Sequence, residues 1–228
     1  GNSPQALINR ADIKVDLDFV VLESNQREGK TGVGAKPELK RNIEGGLRKG
    51  VAGGTHLAGS LGVARTINIR ERGISDALIN VGGNIVVLGS RGGRPWRVGL
   101  ESPRGKGLLA TIELNDGEAI GTSGDYRRYY EIDGTRYAHI IDPRTGYPVP
   151  GVQSVTVLVP RQAGAGALSD AASKPVFIEG LNGWRGAATR MEIQCAMLID
   201  FGGSVHVTRA LKARLRFSDR NLVSVVVP

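Results

Sequence analysis

Between Tyr129 and Gly146 the chain reads YYEIDGTRYAHIIDPRTG, and this stretch leaves the backbone few choices. Asp133-Gly134 sits between two strand-like runs, 129–132 and 136–141. Both residues of an Asp-Gly pair tolerate positive φ, so the pair predicts a tight hairpin. The second strand runs directly into Asp142-Pro143-Arg144-Thr145-Gly146. Proline there fixes φ for a turn, the aspartate caps it and the glycine closes it. A hairpin that ends in a rigid polar loop is a platform for holding a ligand. His139 falls near the end of the second strand, three residues before Asp142.

The rest of the chain has the same texture of short apolar runs broken by turn residues. Residues 76–89 (DALINVGGNIVVLG) predict two strands around Gly82-Gly83-Asn84. Further strands are predicted over 94–100, 108–114 and, most strongly, 152–159. Residues 196–211 predict a hairpin turning at Gly202-Gly203, and 13–22 a strand or short helix. Residues 163–173 are small and helix-permissive, but Pro175 is expected to stop or kink that helix and to push Lys174 out of the α region. Glycines dilute any helical pattern over 53–73. The 33 glycines of 228 residues are about twice the usual share. They argue for a loop-rich α+β protein with backbone-lined ligand surfaces, and against long helices. With no internal repeat and no linker, 1–228 reads as one domain or two tightly packed subdomains.

The net charge of +8 and a pI near 9.9 would attract any anion: nucleic acid, anionic lipid or a phosphorylated small molecule. Only 5% of residues are aromatic, and no basic run is interleaved with rings as a single-strand binder needs, so nucleic acid is the weaker reading. Residues 24–31 (SNQREGKT) nearly spell a phosphate-binding P-loop. Ser24 stands where that motif needs glycine, and Gly32, Gly34 and Pro37 oppose the required helix, so the stretch reads as a solvated loop. Residues 45–52 (GGLRKGVA) form a glycine-framed basic turn, either a surface turn or a place where backbone and cations approach a phosphate. Cys195, the only cysteine, lies in an apolar run and reads as a buried strand position. No apolar run is long enough to cross a membrane, and Gly1 opens no signal peptide in this reading.

From about Asn42 to Phe217 the wording resembles the ApbE-type FAD:protein FMN transferases. GGLRKGVA is similar to that family's GGIAKGYA, and ERGISDALINVGGNIVVLG followed by PWRVGLESPRG is similar to its next segments. TSGDYRRYYEIDGTRYAHIIDPRTGYPV and SVTVLVP match almost without departure and are the most specific part, whereas the N-terminal INRADIKVDLDFV matches faintly. The resemblance implies an α+β fold of mixed sheets in two packed subdomains, with FAD in a cleft between them. It implies cleavage of FAD with Mg²⁺, release of AMP, and attachment of FMN through a phosphoester to a Thr of an acceptor protein. A membrane redox complex subunit is the implied acceptor, and the implied location is the cell envelope, facing the periplasm.

Phosphoryl transfer is mostly positioning and charge stabilisation, so such a site needs a cation at the diphosphate and a group to take the hydroxyl proton. By resemblance His139 is the candidate base and Asp170 the acidic residue at the cation site. The implied metal ligands are Asp170, the Gly46 carbonyl and the Ser173 oxygen. The implied FAD contacts are Gly46, Lys49, Gly83, Asn84, Ser123, Gly124, Asp125, His139, Ile140 and Lys174. The chain departs from the family in three ways. Lys174 stands where the family has the metal-binding Thr, Ile43 where it has an acidic residue, and Arg48 where it has a small one. An ammonium offers no lone pair to Mg²⁺. At i,i+4 Lys174 is expected to pair with Asp170 and to supply part of the charge that a metal would bring. A flavin binder of this fold that has lost transfer is the alternative reading; a basic anion- or nucleic-acid-binding protein is the remote one.

Overall fold

The computed structural model describes residues 19–23, 75–127, 129–132, 135–219, 222 and 224–227, with the backbone alone for 19–23, 130, 132 and 135. The expectations for 13–18, the near-P-loop at 24–31, the basic turn with Gly46, Arg48 and Lys49, Ile43, and the stretch 53–73 lie outside the described residues. In chain order the elements are β1 (Phe19–Glu23), β2 (Asp76–Val81), β3 (Asn84–Leu88), β4 (Trp96–Glu101), β5 (Leu108–Leu114) and β6 (Ala119–Gly124). Four short strands follow: β7 (Tyr129–Ile132), β8 (Thr135–Ala138), β9 (Ile141–Asp142) and β10 (Tyr147–Pro148). The chain continues with β11 (Val152–Val159), α1 (Ala165–Arg190), β12 (Cys195–Asp200), β13 (Val205–Thr208), α2 (Arg209–Lys212), β14 (Leu215–Phe217) and β15 (Ser224–Val227).

A sheet of order β1-β2-β3-β6-β11-β12-β13-β15 organises these elements. Its neighbours run antiparallel except for the parallel pair β13–β15. All eight residues of β11 are buried, because the strand is covered on both faces. Val155, Val157 and Val159 point to one face, where they join Val86, Ala119 and Leu198 against Ala172, Val176, Phe177 and Trp184 of α1. Leu158 points to the other face, with Val87, Ile120, Met197 and Val207, against Trp96, Val98, Ile112 and Leu114 of the small sheet β14-β5-β4. The result is helix, large sheet and small sheet in three layers, an α+β fold of mixed sheets as the sequence implies.

The predicted hairpins are present. β2 and β3 turn at Gly82-Gly83 with φ of 59° and 90°, and β12 turns into β13 through Gly203 at φ 87°. β7 pairs with β8 in the register that Asp133-Gly134 predicts, Ile132 opposite Thr135. The second strand is shorter than expected. It ends at Ala138, bends at His139, and resumes as β9 with a different partner, β10. Ala138 and Ile140 are both buried in the helix-side core, so the chain changes partners at the one residue between two anchors.

The glycine content argues against long helices, and α1, which spans 165–190, is two helical segments joined by a kink at Gly180. Its stability comes from the buried face of Ala172, Val176, Phe177, Trp184 and Ala187, not from propensity. The expectation for Pro175 fails: the proline neither stops nor kinks the helix, and among the residues of α1 only Gly180 leaves helical geometry, at φ 57° and ψ −165°. Lys174 therefore stays helical. Burial of Val176 and Phe177 directly after the proline outweighs the lost N–H, and the chain takes its bend where a glycine tolerates it.

Candidate active site

The site begins where β6 passes beneath α1. A Cβ on Gly121 would lie 2.6 Å from the Ser169 carbonyl oxygen and 3.0 Å from the Asp170 nitrogen, so only glycine lets strand and helix backbones come this close. Small polar residues join the two elements on either side. Asn84 Nδ2 donates to the Gly166 carbonyl (2.9 Å) and towards Ser169 Oγ (3.3 Å). Ser123 Oγ lies 2.6 Å from Ser173 Oγ, and Ser173 Oγ donates to the Asp170 carbonyl at 2.7 Å. Ser173 has one hydroxyl hydrogen, so Ser123 must be the donor across the interface. Ser123, Asn84, Ser169 and Ser173 are all buried.

Asp170 and Lys174 lie one turn apart on α1, and the expected i,i+4 pair is formed. Lys174 Nζ donates to Asp170 Oδ1 and, at 2.9 Å, to the Asp170 carbonyl. The side chains are 22% and 17% exposed, so the pair sits at the edge of the interior and is shielded from bulk water more than a surface ion pair.

At the end of β6, Gly124 and Asp125 turn the chain outward. The Asp125 N–H donates to the Gln153 carbonyl (3.0 Å). Its buried carboxylate receives both Arg104 nitrogens, at 2.8 and 2.5 Å, and this two-pronged contact raises the arginine pKa above its ordinary value. Tyr126 follows, and burial pushes its phenol upward.

His139 is exposed between buried Ala138 and Ile140. These two anchors belong to the same apolar cluster as Ala172 and Val176, the helix-side neighbours in sequence of Asp170 and Lys174. The loop after His139 is held as predicted. Asp142 Oδ1 accepts the Arg144 N–H (2.9 Å), the Asp142 carbonyl accepts the Gly146 N–H (2.8 Å), and Gly146 has φ 75°. Hydrogen bonds from the Arg144 side chain, then from its backbone N–H, hold the Asp142 carboxyl below its usual value. Arg144 also reaches Glu179 on α1 at 3.3 Å, one residue before the helix bend.

Among the described residues, then, Ala138 and Ile140, on either side of His139, pack with α1 in the helix-side core of the large sheet. A shallow depression of about 270 Å³ at Glu101, Ser102, Gly105, Gly107 and Leu108 includes none of the candidate residues. Gly83 lies in the β2–β3 turn directly before Asn84. Gly46 and Lys49 lie outside the described residues. Cys195 is partly buried on β12, where desolvation raises its thiol pKa, so it is not poised as a nucleophile. Sequence reasoning missed Ser169, Arg104 and Glu179. No local pattern marks them, because their partners stand 85, 21 and 35 residues away.

Among the described residues, the oxygens at Asp170 and Ser173 are largely engaged within the helix and do not fit a divalent metal as they stand. A hard cation asks for six or more oxygen ligands with free lone pairs. Here Oδ1 and the carbonyl of Asp170 are bonded to an ammonium, and Ser173 Oγ is already engaged twice. Among the described residues no group of three His, Cys, Asp or Glu could hold a metal ion.

The described residues thus form a mixed α+β domain with a carboxylate–ammonium pair and small buried hydroxyls at a crossing of helix and sheet. The chain is a member of the ApbE family, whose model matches residues 61–199, more than half of it. It is 42% identical over 148 residues to a FAD:protein FMN transferase of Rhodobacter capsulatus, covering 65% of this chain and 28% of that protein. A Klebsiella pneumoniae relative of the same name is 46% identical over 96 residues, 40% of this chain and 27% of its own length. Among solved structures, the ApbE protein of Thermotoga maritima superposes with a TM-score of 0.61 at 32% identity, over 70% of this chain and 51% of that one. The flavin transferase ApbE of Vibrio cholerae superposes at 0.56 and 28% identity, over 82% and 65%. The chain thus spans about a quarter to a third of the length of the curated relatives it matches. Nothing in these likenesses favours a nucleic-acid binder or a binder that has lost transfer.

Proposed function

We propose that the chain carries a FAD:protein FMN transferase activity. The hydroxyl oxygen of an acceptor Thr attacks the FMN phosphorus of FAD, the bond from that phosphorus to the bridging oxygen breaks, and AMP leaves with that oxygen. His139 takes the hydroxyl proton. The products are a Thr–FMN phosphoester and AMP. The observation that supports this reading best is that His139 and the Asp170–Lys174 turn are anchored on one apolar cluster. A base and a charged group held by the same rigid core keep their spacing through the reaction, which is what transfer by positioning requires.

In this reading Ser123, Gly124 and Asp125 shape the backbone at the end of β6 against the ligand, with Asp125 locked by Arg104. Gly83, Asn84 and Ile140, and Gly46 and Lys49 of the basic turn, are the further FAD contacts that the resemblance implies. No step is routed through the family's Mg²⁺, because Asp170 Oδ1 is held by the Lys174 ammonium and Ser173 Oγ is engaged twice. The acceptor is a protein carrying a Thr motif, and the resemblance supports a membrane redox subunit facing the periplasm.

The test is intact-mass measurement of a Thr-bearing acceptor domain after incubation with the full chain and FAD. A gain of one FMN with equimolar AMP is expected, and His139→Ala should cut the rate by about 10²–10⁴. Tight FAD binding with no mass gain would make the chain a flavin binder instead.

A further inference from the structure

We propose, resting on the transferase reading, that Lys174 takes the place of a divalent cation beside Asp170 and presents a fixed positive charge to the diphosphate of the flavin nucleotide. An ammonium has three N–H donors. Two of them are spent on the carbonyl and Oδ1 of Asp170, which fixes the direction of the third. The Lys174 side chain is 22% exposed, enough for that third donor to meet a ligand oxygen at the edge of the crossing.

The alternative, a metal at the same carboxylate, meets a physical obstacle. The cation would have to displace an ammonium held by two hydrogen bonds and tethered on the same helix turn, where separation costs Asp170 its only described charge partner. Ser173 cannot compensate. Its hydroxyl hydrogen points to the Asp170 carbonyl and its oxygen accepts from Ser123, in a position with no solvent exposure. The helix itself maintains the arrangement. Because Pro175 leaves Lys174 in helical geometry, the ammonium stays in register one turn above Asp170.

Two measurements on the full chain decide the matter. The first is Mn²⁺ titration followed by electron paramagnetic resonance, without flavin. The wild type is expected to bind no stoichiometric Mn²⁺, while Lys174→Thr, which restores a neutral oxygen, gains one site that the added Asp170→Asn change removes. A stoichiometric site in the wild type that Asp170→Asn abolishes would overturn the proposal. So would the absence of a site in both the wild type and Lys174→Thr, since Lys174 would then not be what excludes the metal.

The second measurement is FAD affinity in EDTA and in Mg²⁺. The wild type is expected to change by less than about threefold, and Lys174→Met to weaken by about tenfold or more in both buffers. Unchanged affinity in Lys174→Met would overturn the contact to the diphosphate. Failure of FMN transfer with FAD affinity intact counts against the transferase reading alone, and leaves the lysine's role standing.

Discussion

Gly121 and Gly99 look alike in sequence, but a methyl group would meet different neighbours at each. At Gly121 it would strike the backbone of α1 at 2.6 Å, whereas at Gly99 it would meet the Leu108 side-chain tip at 2.7 Å. Backbone cannot step aside and a leucine can rotate. Gly121→Ala should therefore destabilise by about 1–3 kcal/mol or more, and Gly99→Ala clearly less, as read from urea midpoints. Asp76 makes a second residue-scale case. The Ser90 N–H at 2.6 Å, and then the Ser75 hydroxyl at 2.7 Å, hold its carboxyl below the ordinary value. A folded-state pKa below the unfolded one contributes stability that is complete above the unfolded pKa and is lost as pH falls through the folded one. Asp76→Asn should thus melt lower than wild type at neutral pH, and the gap should close as pH drops below about 4. A gap that persisted unchanged at pH 2 would assign the effect to packing instead of charge.

At the scale of elements, α1 combines two helix breakers that behave in opposite ways. Pro175 is exposed and keeps helical geometry without its N–H, so Pro175→Ala should raise the melting temperature, by about 1–3 kcal/mol in stability terms. Gly180 adopts a conformation almost closed to other residues, so Gly180→Ala should lower stability by more than about 1 kcal/mol. Phe177→Ala, which empties a fully buried position, should cost about 3–5 kcal/mol. Thermal melts of the three variants check the order. The contrast also explains what could be read in the sequence. The Gly82-Gly83, Asp133-Gly134 and Gly202-Gly203 hairpins were legible, because a turn is decided by residues adjacent in the chain. The fate of α1 was not, because Val176, Phe177 and Trp184 hold it through contacts with β11 and β12 that no local rule contains.

For the whole molecule, the candidate site follows the same division. The Asp170–Lys174 pair was legible from its spacing, and the loop at Asp142 from its turn residues. The Ser123–Ser173 contact joins positions 50 residues apart, and Arg104 reaches Asp125 from a separate loop, so only the three-dimensional fold brings them together. The net charge of +8 attracts anions in general and selects none of them. In the layer arrangement, helix and small sheet grip opposite faces of the same strands. That arrangement has an optical consequence. The chain has two tryptophans, and they are divided between the layers: Trp184 in the helix-side core and Trp96, whose indole donates to the Leu88 carbonyl at 3.0 Å, in the small-sheet core. Each is 2% exposed. Replacing either one with Phe leaves a protein whose tryptophan emission reports one face alone. Because β6, β11 and β12 belong to both cores, the two single-tryptophan proteins should give coincident urea transitions once each is referred to its own circular-dichroism midpoint. Emission that shifted red early in one protein and late in the other would mean that one layer can peel away while the central sheet still stands.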